Sequence, residues 1–146
     1  MTIPSKFFNE EEKKQIAEAI QTAELNTSGE IRLHVESKCA DNELDRAAYW
    51  FAELKMHKTE QRNGVLFYLA IDDKKLAILG DIGINAKVEN GFWDATRDLI
   101  IGFFKEGKYA MGLTTGIIQA GLQLQKHFPY QTDDVNELAD EISYGK

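Results

Sequence analysis

Cysteine is nearly missing from this chain: Cys39 is the single one in 146 residues, so no intramolecular disulfide framework exists and the fold rests on its core. A cationic surplus is missing too. Seventeen Lys and Arg stand against 24 Asp and Glu, for a formal charge of −7 and a pI near 5.0. Nucleic-acid affinity comes mostly from positive charge set against phosphate, which makes nucleic acids and anionic membranes poor partners. Long apolar runs do not occur. Residues 1–8 lead straight into Asn9, Glu10, Glu11 and Glu12 without a stretch of secretory length. The most apolar late stretch, 110–124, is interrupted by Thr114, Thr115, Gln119 and Gln123, and a membrane span needs roughly 20 mostly apolar residues. A cytoplasmic, monomeric, single-domain protein is the expectation.

Several chemical signatures are missing as well. The chain has no Cys-x-x-Cys pair, no His-Glu-x-x-His zinc helix and no Gly-x-Ser-x-Gly elbow. Gly80 and Gly83 form too short a glycine pattern for a phosphate cradle. His34, His57 and His127 are scattered, and Cys39 falls in a polar loop with no histidine beside it.

What is present is an ordinary globular mixture, 43% apolar and 28% charged. Asn9 with Glu12 three residues on forms a capping box, and Ile16, Ala19, Ile20 and Ala23 follow at helical spacing. Strict alternation over 30–36 puts Ile31, Leu33 and Val35 on one face of a strand. Asp41 is placed to cap a helix bearing Leu44, Ala47, Ala48, Phe51 and Leu54. The continuous apolar run 65–71 reads as a central strand buried on both faces, parallel to the first. A short polar turn leads to a third strand over 76–79, antiparallel to the second. Asn90 is placed to cap a helix carrying Phe92, Trp93, Leu99, Ile100, Phe103 and Phe104. A last helix over about 108–127 turns Tyr109, Leu113, Ile117, Ala120 and Leu124 inward. Gly112, Gly116 and Gly121 within it each cost about 1 kcal/mol of helix propensity, which points to close packing on a neighbour. The reading is α/β, a small mixed sheet between helices over residues 1–130. An acidic tail over 131–146 follows, where Asp133, Asp134, Glu137, Asp140 and Glu141 outnumber Lys146.

With this topology the starts of the first two strands and the end of the third share one edge. Glu30, Asp81, Glu89 and Asp94 can then converge there, with Asn63 or Asn85 adding amide oxygens. Oxygen-only donors suit Ca²⁺ or Mg²⁺. Asp81 leads the set because it follows a strand end and stands near Gly80 and Gly83, where the backbone can bend around an ion. The 81–90 segment, apolar only at Ile82, Ile84 and Val88, is expected to be the most mobile part of the metal-free chain. The opposite edge is acidic as well, through Glu36, Asp41, Asp72 and Asp73.

Thr27-Ser28-Gly29-Glu30-Ile31, Arg62-Asn63-Gly64-Val65-Leu66, and Lys75-x-Ala77-Ile78-x-Gly80-Asp81-x-Gly83 together resemble the TPM domain family. So do Phe103-Phe104-x-x-Gly107-x-Tyr109-x-x-Gly112-Leu113 and the closing 136–143 segment. The family includes thylakoid-lumen phosphatase-like proteins and a photosystem II repair factor. The resemblance implies a Rossmann-like α/β/α sandwich, divalent-cation binding (calcium in particular), and the weak acid phosphatase activity of plant members. This chain has Arg62 where many members carry an acidic residue and Lys108 where many carry aspartate. Three functions are therefore expected in turn. The first is Ca²⁺ or Mg²⁺ binding. The second is metal-assisted phosphomonoester hydrolysis, with Arg62 neutralising the phosphate. The third is a protein-interaction adaptor in complex assembly or repair.

Overall fold

The computed structural model describes residues 2–129 and 142–145. A single helical turn, α1 (Pro4–Phe7), precedes α2 (Glu10–Glu24), which opens on the expected capping box between Asn9 and Glu12. β1 (Glu30–Glu36) runs parallel to β2 (Gly64–Ala70), and β3 (Lys75–Gly80) returns antiparallel to β2. Between β1 and β2 lie α3 (Glu43–Glu53) and one 3-10 turn at Met56–Lys58. After β3 come α4 (Ile82–Asn85), α5 (Phe92–Lys105) and α6 (Tyr109–His127). β4 (Ser143–Tyr144) pairs parallel with β1, so the sheet order is β3-β2-β1-β4. The architecture is the expected α/β sandwich around a small mixed sheet.

Strand alternation sorts the two layers. Ile31, Leu33, Val35, Val65, Phe67 and Leu69 face Ile16, Ile20, Leu113, Ile117 and Leu124 of α2 and α6 in the larger core. Leu66, Tyr68, Ala70 and Ala77 face Ala47 and Phe51 of α3 in a smaller one. Every residue of β2 is buried, as its apolar run requires. Among the described residues, no helix is long and apolar enough to cross a membrane.

Five local expectations are corrected. Asn42 rather than Asp41 caps α3, accepting from the N–H groups of Leu44 and Asp45. Gly91, at φ 83°, rather than Asn90 precedes α5, because the chain enters that helix through the left-handed region. Leu44 and Ala48 are exposed, since α3 stands alone on its face and buries only a narrow stripe, and Leu99 is exposed on α5, whose buried positions are Thr96 and Ile100. Residues 82–85 form the short helix α4 with Ile84 buried, in place of an open loop. Ser143 and Tyr144 fall in the stretch read as a tail yet join the sheet. The acidic residues Asp133 to Glu141 lie outside the described residues.

The glycines of α6 do sit at close contacts. A Cβ at Gly121 would stand 2.5 Å from Ala23 Cβ and 2.7 Å from its Cα, so α2 and α6 approach backbone to backbone there. Gly121→Ala should therefore lower stability by about 1–2 kcal/mol, although alanine is the better helix former by about 1 kcal/mol. Urea unfolding measures it, and a gain in stability would show that the two helices separate without cost.

Candidate functional site

The register Glu30↔Gly64 and Val65↔Gly80 brings Ser28, Glu30, Arg62, Asn63 and Asp81 to one end of the sheet, as the topology requires. Arg62 adopts φ 54°, and its carbonyl accepts from the N–H of Gly83 at 2.8 Å, tying the entry of β2 to the exit of β3. Its guanidinium forks onto Asp81, Nε to Oδ2 at 2.7 Å and Nη2 to Oδ1 at 2.9 Å. Asp81 also caps α4 by accepting from Ile82 N–H at 2.8 Å. The carboxylate that sequence ranks first is thus buried and engaged in three hydrogen bonds. The bonds that Arg62 donates to Asp81 hold its guanidinium above its ordinary pKa. A bidentate Arg–carboxylate fork is among the stronger polar contacts a protein makes.

The neighbouring amides are also in use. Asn85 donates to Gly80 O at 2.7 Å and accepts from Trp93 Nε1 at 2.7 Å, fastening α4 to β3 and α5. Asn63 donates through Nδ2 to Ser28 Oγ at 3.1 Å, while its buried Oδ1 finds no partner among the described residues. Glu30 is buried at the start of β1. Glu89 and Asp94 are exposed, and with Asn85 and Trp93 they line a shallow depression of about 210 Å³ between α4 and α5. Asp94 stands in the first turn of α5, where a carboxylate favours the helix dipole in any case. Glu89, Asp94 and Asn85 are thereby brought together, while Asp81 and Glu30 do not line that depression. Among the described residues, no three His, Cys, Asp or Glu side chains are placed to hold one metal ion.

The opposite end of the sheet is organised differently. Asp72 accepts from Thr2 N–H at 2.9 Å, a bond that holds its carboxyl below the usual range. Asp73 accepts from Cys39 N–H at 2.6 Å. Cys39 lies in the expected loop after β1 but is buried there, and its thiol donates to Asp41 O at 3.2 Å. Beside them lies a buried polar cluster that sequence reasoning missed. Glu36 receives a bidentate fork from Arg46 at 2.9 and 3.0 Å and the Tyr68 hydroxyl at 2.6 Å. Burial pushes the Glu36 carboxyl up, but the bonds from Arg46 and Tyr68 prevail and hold it below its ordinary value. His34 stacks on Trp50 with ring centroids 4.0 Å apart, and its Nδ1 lies 2.7 Å from Ser143 Oγ. Arg32 Nε and His34 Nε2 are buried with no hydrogen-bond partner among the described residues. The sequence signal for this cluster is a polar face on β1 opposite an aromatic helix, a pattern that solvated strands share.

The TPM domain model matches residues 1–122 of this chain. The solution structure of the BA42 protein from the psychrophilic bacterium Bizionia argentinensis is 48% identical. It superposes with a TM-score of 0.88 over 96% of this chain and 97% of that one. The N-terminal domain of a P. gingivalis protein, 16% identical with a TM-score of 0.72, covers 87% of this chain and 84% of that one and shares the fold. So does the N-terminal domain of the Corynebacterium glutamicum protein cg2496, at 13% identity, a TM-score of 0.63, and coverage of 81% and 74%. No curated protein matches the chain. With a family match across most of its length and a close structural relative at near-complete coverage, the chain belongs to the TPM domain family.

Proposed function

We propose that this chain is a divalent-cation-binding TPM domain whose ligand carboxylates are Glu89 and Asp94. The observation that supports the reading is the depression of about 210 Å³ that these two exposed side chains share with Asn85. Its donors are oxygens, as hard cations require. Two carboxylates, beside an Asn85 oxygen that already accepts from Trp93 Nε1, are too few to enclose Ca²⁺, which takes about six to eight oxygens. They suit Mg²⁺, which keeps several waters and needs one or two carboxylates. Asp81 does not join them in this reading, because a cation there would have to displace the Arg62 fork. The same fork weakens the case for phosphomonoester hydrolysis: with Nε and Nη2 bound to Asp81, the Arg62 guanidinium has its charge balanced and cannot offer that two-nitrogen edge to a phosphate.

Amide shifts on titration with Mg²⁺ and then Ca²⁺ test the proposal. Saturable changes over 85–94, lost in a Glu89→Gln/Asp94→Asn variant, are the expected result. Changes centred on Asp72 and Asp73, or none at millimolar metal, would sink it. Linkage adds a second readout. Metal a hundredfold above its dissociation constant should raise stability by roughly 2.7 kcal/mol, and chelator should abolish the gain.

A further inference from the structure

At the far end of the sheet from the cation depression, the chain encloses a cleft of about 400 Å³, within the range of small-molecule sites. We propose that this cleft binds a small amphipathic anion, with its apolar body inside and its charged head at a lysine rim. Phe7 of α1, Leu69 and Ile71 at the end of β2, Leu76 of β3, Phe104 of α5 and Tyr109 of α6 form its walls. The three aromatic rings hold one another, with centroids 5.2 Å apart for Phe7 and Tyr109 and 4.9 Å for Phe104 and Tyr109. The bond from Thr2 N–H to Asp72 fastens the chain just before α1, which keeps Phe7 in place as a wall. Open α/β sheets take ligands at the carboxyl ends of their parallel strands, and this cleft lies at that end of β2.

The charge around the opening selects the ligand's head group. Lys74, Lys75 and Lys105 line the cleft of a chain that is acidic overall. Lys75 is spoken for, since its ammonium donates to the carbonyls of Cys39 and Asp41, each at 2.9 Å. Lys74 and Lys105 are exposed, and their ammonium groups have no hydrogen bond or ion pair among the described residues. Among the described residues the nearby acids are turned to other partners and form no ion pair with either lysine. Asp72 and Asp73 accept from backbone N–H groups, and Glu106 pairs with Lys108 at 3.6 Å. Tyr109 is also the first residue of α6, a helix with no side-chain cap and no acid in its first turn. Its unsatisfied N–H groups and positive dipole end therefore add to the potential at the opening. An apolar cavity beneath two free ammonium groups fits an anion with a greasy body better than it fits a neutral hydrocarbon or a bare anion.

Decanoate, below its micellar concentration, and uncharged decanol are the probes, added to the ¹⁵N-labelled full chain. Decanoate should give saturable amide shifts confined to the walls and to Lys74 and Lys105, and decanol should bind about tenfold more weakly. Lys74→Ala/Lys105→Ala should bring decanoate down to the affinity of decanol. Both lysines are exposed, so the melting temperature should not move. Ile101→Trp, which fills the cleft from α5, should remove binding of both probes. Equal affinity for decanoate and decanol, insensitivity to the lysine substitutions, or shifts that lie elsewhere would each overturn the proposal.

Discussion

Arg46→Ala should lower the stability of this domain by about 3–5 kcal/mol. The effect comes less from the contact removed than from what is left behind. Glu36 is 3% exposed, and its charge is balanced by the Arg46 fork and the Tyr68 hydroxyl. Without the guanidinium, a buried carboxylate loses its counter-charge and must either ionise uncompensated or take up a proton. Arg46 also spreads its guanidinium over the rings of Tyr49 and Trp50, at 4.8 and 5.5 Å, so its loss loosens the packing of α3 as well. Urea unfolding of Arg46→Ala and of Arg46→Ala/Glu36→Gln separates the two contributions. The double variant, with no buried charge, should recover part of the loss. A single variant within about 1 kcal/mol of the parent would mean that other groups already neutralise Glu36.

Whether an element is legible in the sequence depends on the range of the interaction that makes it. The capping box of Asn9 and Glu12 spans three residues, and the alternation of Ile31, Leu33 and Val35 needs no partner to be seen. β2 reads as central because a seven-residue apolar run has few other places to go. The cap of α3 slips by one residue to Asn42, where two adjacent residues can each do the work, and that of α5 to Gly91, where a left-handed backbone and not a side chain sets the entry. β4 escapes because two residues carry no period, and its pairing is decided by β1, more than a hundred positions earlier.

The site is legible as an edge and not as a set of contacts. Topology alone predicts that Glu30, Arg62, Asn63 and Asp81 share one end of the sheet, and they do. It does not say that Arg62 turns onto Asp81, because side-chain direction there follows from the left-handed backbone at Arg62. The polar residues of β1 mislead for a related reason. Glu30, Arg32, His34 and Glu36 alternate with apolar residues as if facing water, yet Glu30, His34 and Glu36 are buried. Arg46, Trp50 and Tyr68 make that burial tolerable for His34 and Glu36 by supplying charge, stacking and a hydroxyl from outside the strand.

Burial of His34 makes this fold sensitive to acid. Its pKa is held down to about 4 from an ordinary 6.5, first by burial, with Arg32 and Arg46 adding to the effect and Glu36 opposing it. The native state therefore keeps the imidazole neutral over a range in which the unfolded chain protonates it. Lowering the pH through that range favours the state that binds the proton. The contribution of His34 is thus intact above about pH 6.5 and is lost progressively toward pH 4. At about 1.4 kcal/mol for every tenfold change in proton affinity, the loss reaches about 3 kcal/mol. Glu36, held below its ordinary 4.5, adds its loss mainly beneath that value, so His34 dominates above about pH 4.5 and the two overlap only near pH 4. Urea unfolding at pH 7, 5.5 and 4.5 should show stability falling across all three. His34→Phe, which retains an aromatic ring against Trp50 but cannot titrate, should flatten the curve between pH 6.5 and 4.5 while leaving the steeper drop below it. A parent protein equally stable at pH 7 and 4.5 would show that His34 takes up its proton without disturbing the ring stack or its contact with Ser143.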